Sequence, residues 1–310
     1  MRKFLVFLMV VSLIMTFSTF LFSKIKVGEE VLERFETAHP YKGGGGVVLE
    51  KIYHWPEAGY ISLHVANFEL APGDYMEISS PDGKYFYLYN GKGKVVRGGQ
   101  AVISEFWVTH IPGDTAIVKL HSRNPKGGWG FVIDKWVHGF ERGYIQAVLT
   151  EMEDAEIEAI CNSDDKEWAK CYEGTTMYDK GRAVARLLMN GSSACTGWLV
   201  GSEGHLMTNY HCIGSQSTAD NTDYEFMAEG ATCTTNCAAW LACPGTVEAT
   251  SGTVIKSDYD LDYTLILLPT NITGTYGYLQ LRDTLPTIGE RIYIVQHPGA
   301  WGKQLGVWSD

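Results

Sequence analysis

The first half of this 310-residue chain has no cysteine; all seven stand at or beyond Cys161, so no disulfide can form in that half. Basic residues are also sparse. Lys and Arg number 25 against 36 Asp and Glu, a net charge of −11, and they never gather into a patch. That balance excludes nucleic acid as a partner. Long apolar runs are missing beyond Phe22, so no later stretch is fit to cross a bilayer. Ligand-spaced metal motifs are missing as well. Cys233-x3-Cys237-x5-Cys243 is irregular and has no histidine beside it, which argues against zinc; neither a metal nor a cofactor is expected.

What is present begins with Met-Arg-Lys and an apolar run from Phe4 to Phe22. A basic start followed by an apolar segment reads as a secretory signal peptide over 1–23, with a signal anchor as the alternative because the run is long and lacks an Ala-x-Ala site. Both readings place the remainder outside the cytosol: secreted, cell-surface or periplasmic. A membrane is a partner only if the segment stays uncleaved. Seven cysteines fit that oxidising compartment, and the odd count leaves one without a partner in this chain.

The length allows about two domains. Residues 24–46 read as a lead-in, weakly helical over Val27–Phe35 and broken at Gly43–Gly46. From 47 to 142 short strands alternate with turn signals such as Pro72-Gly73-Asp74, Pro81-Asp82-Gly83 and Pro112-Gly113-Asp114. This spacing predicts an antiparallel β-sandwich. Its aromatics, among them Tyr53, Trp55, Tyr87, Trp107 and Trp136, read as core filling ahead of a platform for a carbohydrate or protein ligand. Asp74, Asp82, Asp114 and Asp134 read as turn formers ahead of calcium ligands. An acidic linker follows over 143–175, with a helical stretch at Gly143–Ala159. A second domain spans 176–310, and Asn190-Gly-Ser and Asn271-Ile-Thr are glycosylation sequons.

The strongest local signal is Cys195-Thr-Gly-Trp-Leu-Val-Gly-Ser-Glu-Gly-His-Leu-Met-Thr-Asn-Tyr-His211-Cys212. Two apolar runs flank Gly201-Ser202-Glu203-Gly204, which predicts a β-hairpin. Its ends lie together, so Cys195 and Cys212 could reach one another and fix His211 at a strand end. The same residues resemble the catalytic-histidine region of the chymotrypsin-like (trypsin-type) serine proteases, nearest to the bacterial lysyl-endopeptidase branch. Tyr60-Ile-Ser-Leu-His-Val and Ala71-Pro-Gly-Asp-Tyr-Met-Glu-Ile are more loosely similar to a CUB-like jelly-roll module. The resemblance implies an all-β chain: the sandwich, then the first β-barrel and the start of the second of a double-barrel protease. It implies His211 as general base, and Asp262, at the mouth of Tyr263-Thr-Leu-Ile-Leu-Leu, as the carboxylate that orients it. Asp258 and Asp260 compete for that place but lack its offset to Thr264-Leu265.

The nucleophile is the missing part. The family's Gly-Asp/Ser-Ser-Gly pattern does not occur, and Ser192, Ser193, Ser215, Ser217 and Ser309 lack its glycines. Gly289-Glu-Arg-Ile-Tyr-Ile-Val-Gln-His-Pro-Gly299 resembles the first strand of the second barrel, and the 22 residues from Gly289 to Asp310 cannot complete one. The expectation is a secreted serine endopeptidase of protein or peptide substrates, incomplete before its serine and oxyanion hole. The alternative is a non-catalytic protease homologue, or a binding protein acting through the sandwich.

Overall fold

The computed structural model of the protein describes residues 24–141 and 165–308. The signal segment expected at 1–23, the helical stretch expected at Gly143–Ala159, Cys161 and Ser309 lie outside the described residues. The described fold is all-β and antiparallel, with a few short helices.

Two sheets face each other in the N-terminal half. One has the order Gly46–His54, Thr115–Ser122, Tyr75–Ser79, Phe86–Asn90. The other is built on the long strands Tyr60–Glu69 and Gly130–Gly139. Along Thr115–Ser122 burial alternates strictly, so Ala116, Val118 and Leu120 enter the core and their neighbours face outward. That is the period-two signature of a half-buried strand. Tyr60–Glu69 breaks the alternation, with its first six residues all buried. Ile61, Leu63 and Val65 fill the sandwich core. Tyr60 on the opposite face packs with Val27, Trp107, Leu188 and Ala194, because the C-terminal half lies against it.

The helix expected over Val27–Phe35 does not form. Gly28–Val31 and Phe35–Glu36 are strands paired with Gly130–Gly139, and Ile25–Lys26 pairs with Ser193–Ala194 of the C-terminal half. Tertiary pairing outweighs a weak local propensity here. A Cβ on Gly28 would fall 2.6 Å from the Tyr60 hydroxyl, so this close approach needs glycine. The four aspartates weighed for calcium are held in separate hydrogen-bond sets. Asp74, for example, accepts from Ser122 Oγ at 2.9 Å and from the backbone N–H groups of Arg123 and Asn124.

In the C-terminal half one curled sheet runs Thr246–Ala249, Thr222–Phe226, Val184–Met189, Ser193–Val200, His205–Thr208, Tyr263–Leu267, Thr253–Asp258. Its core gathers Leu187, Leu199, Leu206, Tyr224, Phe226 and Ile266. Beside it Lys166–Trp168, Gln304–Trp308 and Ile292–Gln296 form a separate three-stranded sheet, with Ile292–Gln296 at an edge. Arg186, fully enclosed, ties the curled sheet to the loops at Leu241–Ala242 and Ala300. Its Nε donates to Glu225 Oε2 at 2.8 Å, and its Nη1 donates to the carbonyls of Ala242 and Ala300 at 2.8 and 3.1 Å. Burial alone would raise the Glu225 carboxyl. The charges of Arg186 and His110, with the Arg186 and Gly245 hydrogen bonds, overcome it and hold that carboxyl below its ordinary range.

Candidate active site

The site grows from the Ser193–Val200/His205–Thr208 hairpin, paired in register at Trp198–Met207, Leu199–Leu206 and Val200–His205. After Thr208 the chain closes into a tight turn, in which the N–H groups of Cys212 and Ile213 both reach the Asn209 carbonyl. Buried Ile213 anchors the turn from inside, and Thr264 Oγ1 donates to its carbonyl at 2.8 Å. The Cys195–Cys212 disulfide closes the hairpin ends, with Cα atoms 6.2 Å apart. His211 is therefore held at the crest of a turn fixed on three sides.

Asp262 meets it from the turn that leads into the neighbouring strand. Its Oδ2 lies 2.7 Å from His211 Nδ1, and its Oδ1 accepts the His211 backbone N–H at 3.0 Å. Asn209 Nδ2 adds donations to the same Oδ2 at 3.1 Å and to the Asp262 carbonyl at 3.2 Å. Asp262 adopts φ 48°, the left-handed region, just before Tyr263–Leu267 begins. Aspartate tolerates that region better than most residues. Burial opposes ionisation of Asp262. The backbone and ring hydrogen bonds from His211, its charge and the Asn209 amide outweigh burial, and the carboxyl sits below its ordinary range. An ionised acceptor on Nδ1 fixes the ring's orientation and stabilises an imidazolium when one forms.

His211 opens on a cleft of about 780 Å³ between the curled sheet and the three-stranded sheet. Thr196 and Trp198 line it from the curled sheet, with Leu279, which pairs with that sheet's Leu199, and Tyr293, Ile294 and Val295 line it from the three-stranded sheet.

The sandwich braces the segment that follows His211. The helix Gln216–Asp220 starts five residues on, capped by Ser215, whose Oγ accepts the Thr218 N–H. Arg97 of the sandwich pairs with Asp220 in a two-pronged contact of 2.7 and 3.1 Å. Lys94 Nζ donates to the Asp220 carbonyl at 2.9 Å, and the Trp107 N–H to Asn221 Oδ1 at 2.8 Å. His110 gives both its backbone N–H and its ring Nδ1 contact to Asp223 Oδ2, at 3.0 and 2.8 Å. Gln216 passes the contact on, reaching Asp220 Oδ1, the Gly252 carbonyl and the Val254 N–H.

The competing residues are elsewhere. Asp258 Oδ1 caps its own turn by accepting the Leu261 N–H, and Asp260 is exposed. Ser215 serves the helix cap, and Ser217 is exposed. Ser251-Gly252, a serine–glycine pair easily overlooked in the sequence, is buried, and its Oγ accepts the Arg97 N–H at 3.1 Å. Cys171–Cys233 and Cys237–Cys243 are disulfides, so the spacing weighed for zinc offers no thiolate. Cys195, His211 and Cys212 bring potential ligand atoms within 4.8 Å of one another, but both sulfurs are bonded in a disulfide and leave only one nitrogen. Asn209 and the Arg97–Asp220 brace escaped sequence reasoning. A lone Asn two positions before His carries no pattern, and the brace joins residues 123 apart.

Residues 195–309 match the family model described as a trypsin-like peptidase domain. The chain is 36% identical over 265 residues to the Secreted RxLR effector protein 73 of Plasmopara viticola, covering 82% of this chain and 63% of that protein. It thus spans less than two thirds of that relative's length. Among solved structures it is similar to a Glu endopeptidase in complex with MPD, at 19% identity and a TM-score of 0.33, over 49% of this chain and 70% of that one.

Proposed function

We propose that this chain carries the base-and-acid half of a secreted serine endopeptidase acting on protein or peptide substrates. The observation that carries this reading is the His211–Asp262 pair, set 2.7 Å apart at the edge of a cleft. In acyl-enzyme chemistry the His211 Nε2 takes the proton of a serine hydroxyl as that oxygen attacks the scissile carbonyl. It then returns the proton to the leaving amine, while Asp262 holds Nδ1 and balances the imidazolium charge. The serine and the oxyanion-hole donors belong, in this proposal, to polypeptide outside these 310 residues. Two observations favour that: the Gly-x-Ser-Gly pattern is absent from the sequence, and Ile292 and Ile294 of the edge strand are more than half exposed on a sheet of three strands. The matched relative extends beyond the shared region.

The sandwich at 47–142, CUB-like in this reading, is an accessory module that braces the histidine loop. The 176–310 segment is the protease portion. Disulfides and the match to a secreted relative support an extracellular setting.

The test is to read the coding sequence past Asp310 and treat the resulting protein with a fluorophosphonate probe. Labelling of a serine in an in-frame Gly-x-Ser-Gly segment, lost in His211→Ala, supports the endopeptidase. A stop codon at that point together with an unreactive protein supports the alternative, a non-catalytic homologue acting through its sandwich.

A further inference from the structure

Two Asn-x-Ser/Thr sequons stand in the chain, and the fold treats them differently. Asn271 is exposed at the start of a turn beside the Gly201–Gly204 end of the hairpin, the end remote from His211. Its Oδ1 accepts the Thr273 N–H at 3.1 Å and the Thr273 hydroxyl at 2.7 Å. Its Nδ2 donates to the Ser202 carbonyl at 2.9 Å. The middle residue, Ile272, is buried in the barrel core and turns the flanking Asn outward.

Asn190 lies in the opposite setting. Its N–H donates to the Asn221 carbonyl at 2.8 Å, and Gly191 is pressed beneath the Trp107 ring, where a Cβ would fall 2.5 Å from a ring carbon. The Gly191 carbonyl accepts the Tyr60 hydroxyl at 2.9 Å, and the Ser192 carbonyl accepts the Val27 N–H at 2.8 Å. Gly191 lies under the docked sandwich and Asn190 and Ser192 are half-buried at that seam, where an oligosaccharide would hold the two halves apart.

We propose that Asn271 is an N-glycosylation site of this protein and that Asn190 is not. The donor is a lipid-diphosphate-linked oligosaccharide. Asn271 Nδ2 forms a bond to the anomeric carbon, the carbon–oxygen bond to the diphosphate breaks, and one amide proton leaves. The amide keeps its other N–H, which can still donate to Ser202. The sugar then covers the hairpin turn and leaves the His211 cleft open. The proposal rests on the secretory route argued above.

The test expresses the full chain in a eukaryotic secretory host, alongside Asn271→Gln, Thr273→Ala and Asn190→Gln. Intact mass is measured before and after peptide N-glycosidase. The expected result is a single removable glycan, absent in Asn271→Gln and Thr273→Ala and retained in Asn190→Gln. Protein recovered from the secretory route without a glycan, or with one lost only in Asn190→Gln, overturns the proposal. A second arm replaces residues 1–23 by a leader known to enter that route. Failure of the native leader alone then counts against the localisation and leaves the glycan reading to be decided by this arm.

Discussion

Asp262 grips His211 twice, one carboxylate oxygen on the backbone N–H and the other on ring Nδ1, at 3.0 and 2.7 Å. The backbone contact fixes where the residue sits, and the ring contact fixes which way the imidazole points. The left-handed φ of Asp262 lets one short side chain do both.

Asp262→Asn should remove the hydrogen-bonded, far-downfield Nδ1 proton signal of His211 in an NMR spectrum while leaving the fold intact. Stability should respond to acid with a defined sign. The folded carboxyl lies below its ordinary value of 3.8, so its contribution is present above that pH and is lost as pH falls through the lower folded value. The variant should show a shallower loss of stability below about pH 4. An unchanged acid profile would remove Asp262 from the account.

Asn209→Ala should loosen the same pair without abolishing it. Asp262 loses a donor to its carboxylate and another to its carbonyl, which costs about 1 kcal/mol in a partly exposed setting. Chemical denaturation measures that loss. The positioning role is read separately, as faster solvent exchange of the His211 Nδ1 proton. A loss of stability with unaltered exchange would make Asn209 merely structural.

The junction between the halves is expected to depend on Asp223. Asp223→Ala leaves the buried His110 N–H and ring without their acceptor, and such a loss costs about 3 kcal/mol. Hydrogen exchange should rise in residues 216–226 and spread toward the His211 turn. Exchange confined to the sandwich would show that the brace does not reach the site.

Two enclosed lysines give an alkaline signature. Burial drives Lys94 and Lys303 down to about 8 from an ordinary 10.5, despite nearby carboxylates. Between about pH 8 and pH 10 the unfolded chain holds protons that the folded chain has released, so stability should rise with pH. Above about pH 10 the sign reverses, because the tyrosines of the unfolded chain ionise while buried Tyr60, Tyr89 and Tyr224 resist. Lys94→Met with Lys303→Met should flatten the rise, as measured by denaturation midpoints. A rise that persists in the double variant would refute the lysine origin.

The sequence by itself determined the local units. Alternating apolar residues and Gly-rich turns specify strands and the hairpin, because those signals act over a few neighbouring residues. The possible closeness of Cys195 and Cys212 follows from the hairpin between them, whereas the choice of His211 and Asp262 came from the resemblance of their stretches to a known family and not from local signals. Tertiary structure alone decided the rest. It drew Val27–Phe35 into strands through pairing with Gly130–Gly139, and set Asn209 on Asp262 across 53 positions. It also pressed Tyr60, Lys94, Arg97 and His110 onto residues 191–223. Those contacts join segments distant in sequence, and their strength comes from shared burial and shared partners. No single stretch of the chain carries that information.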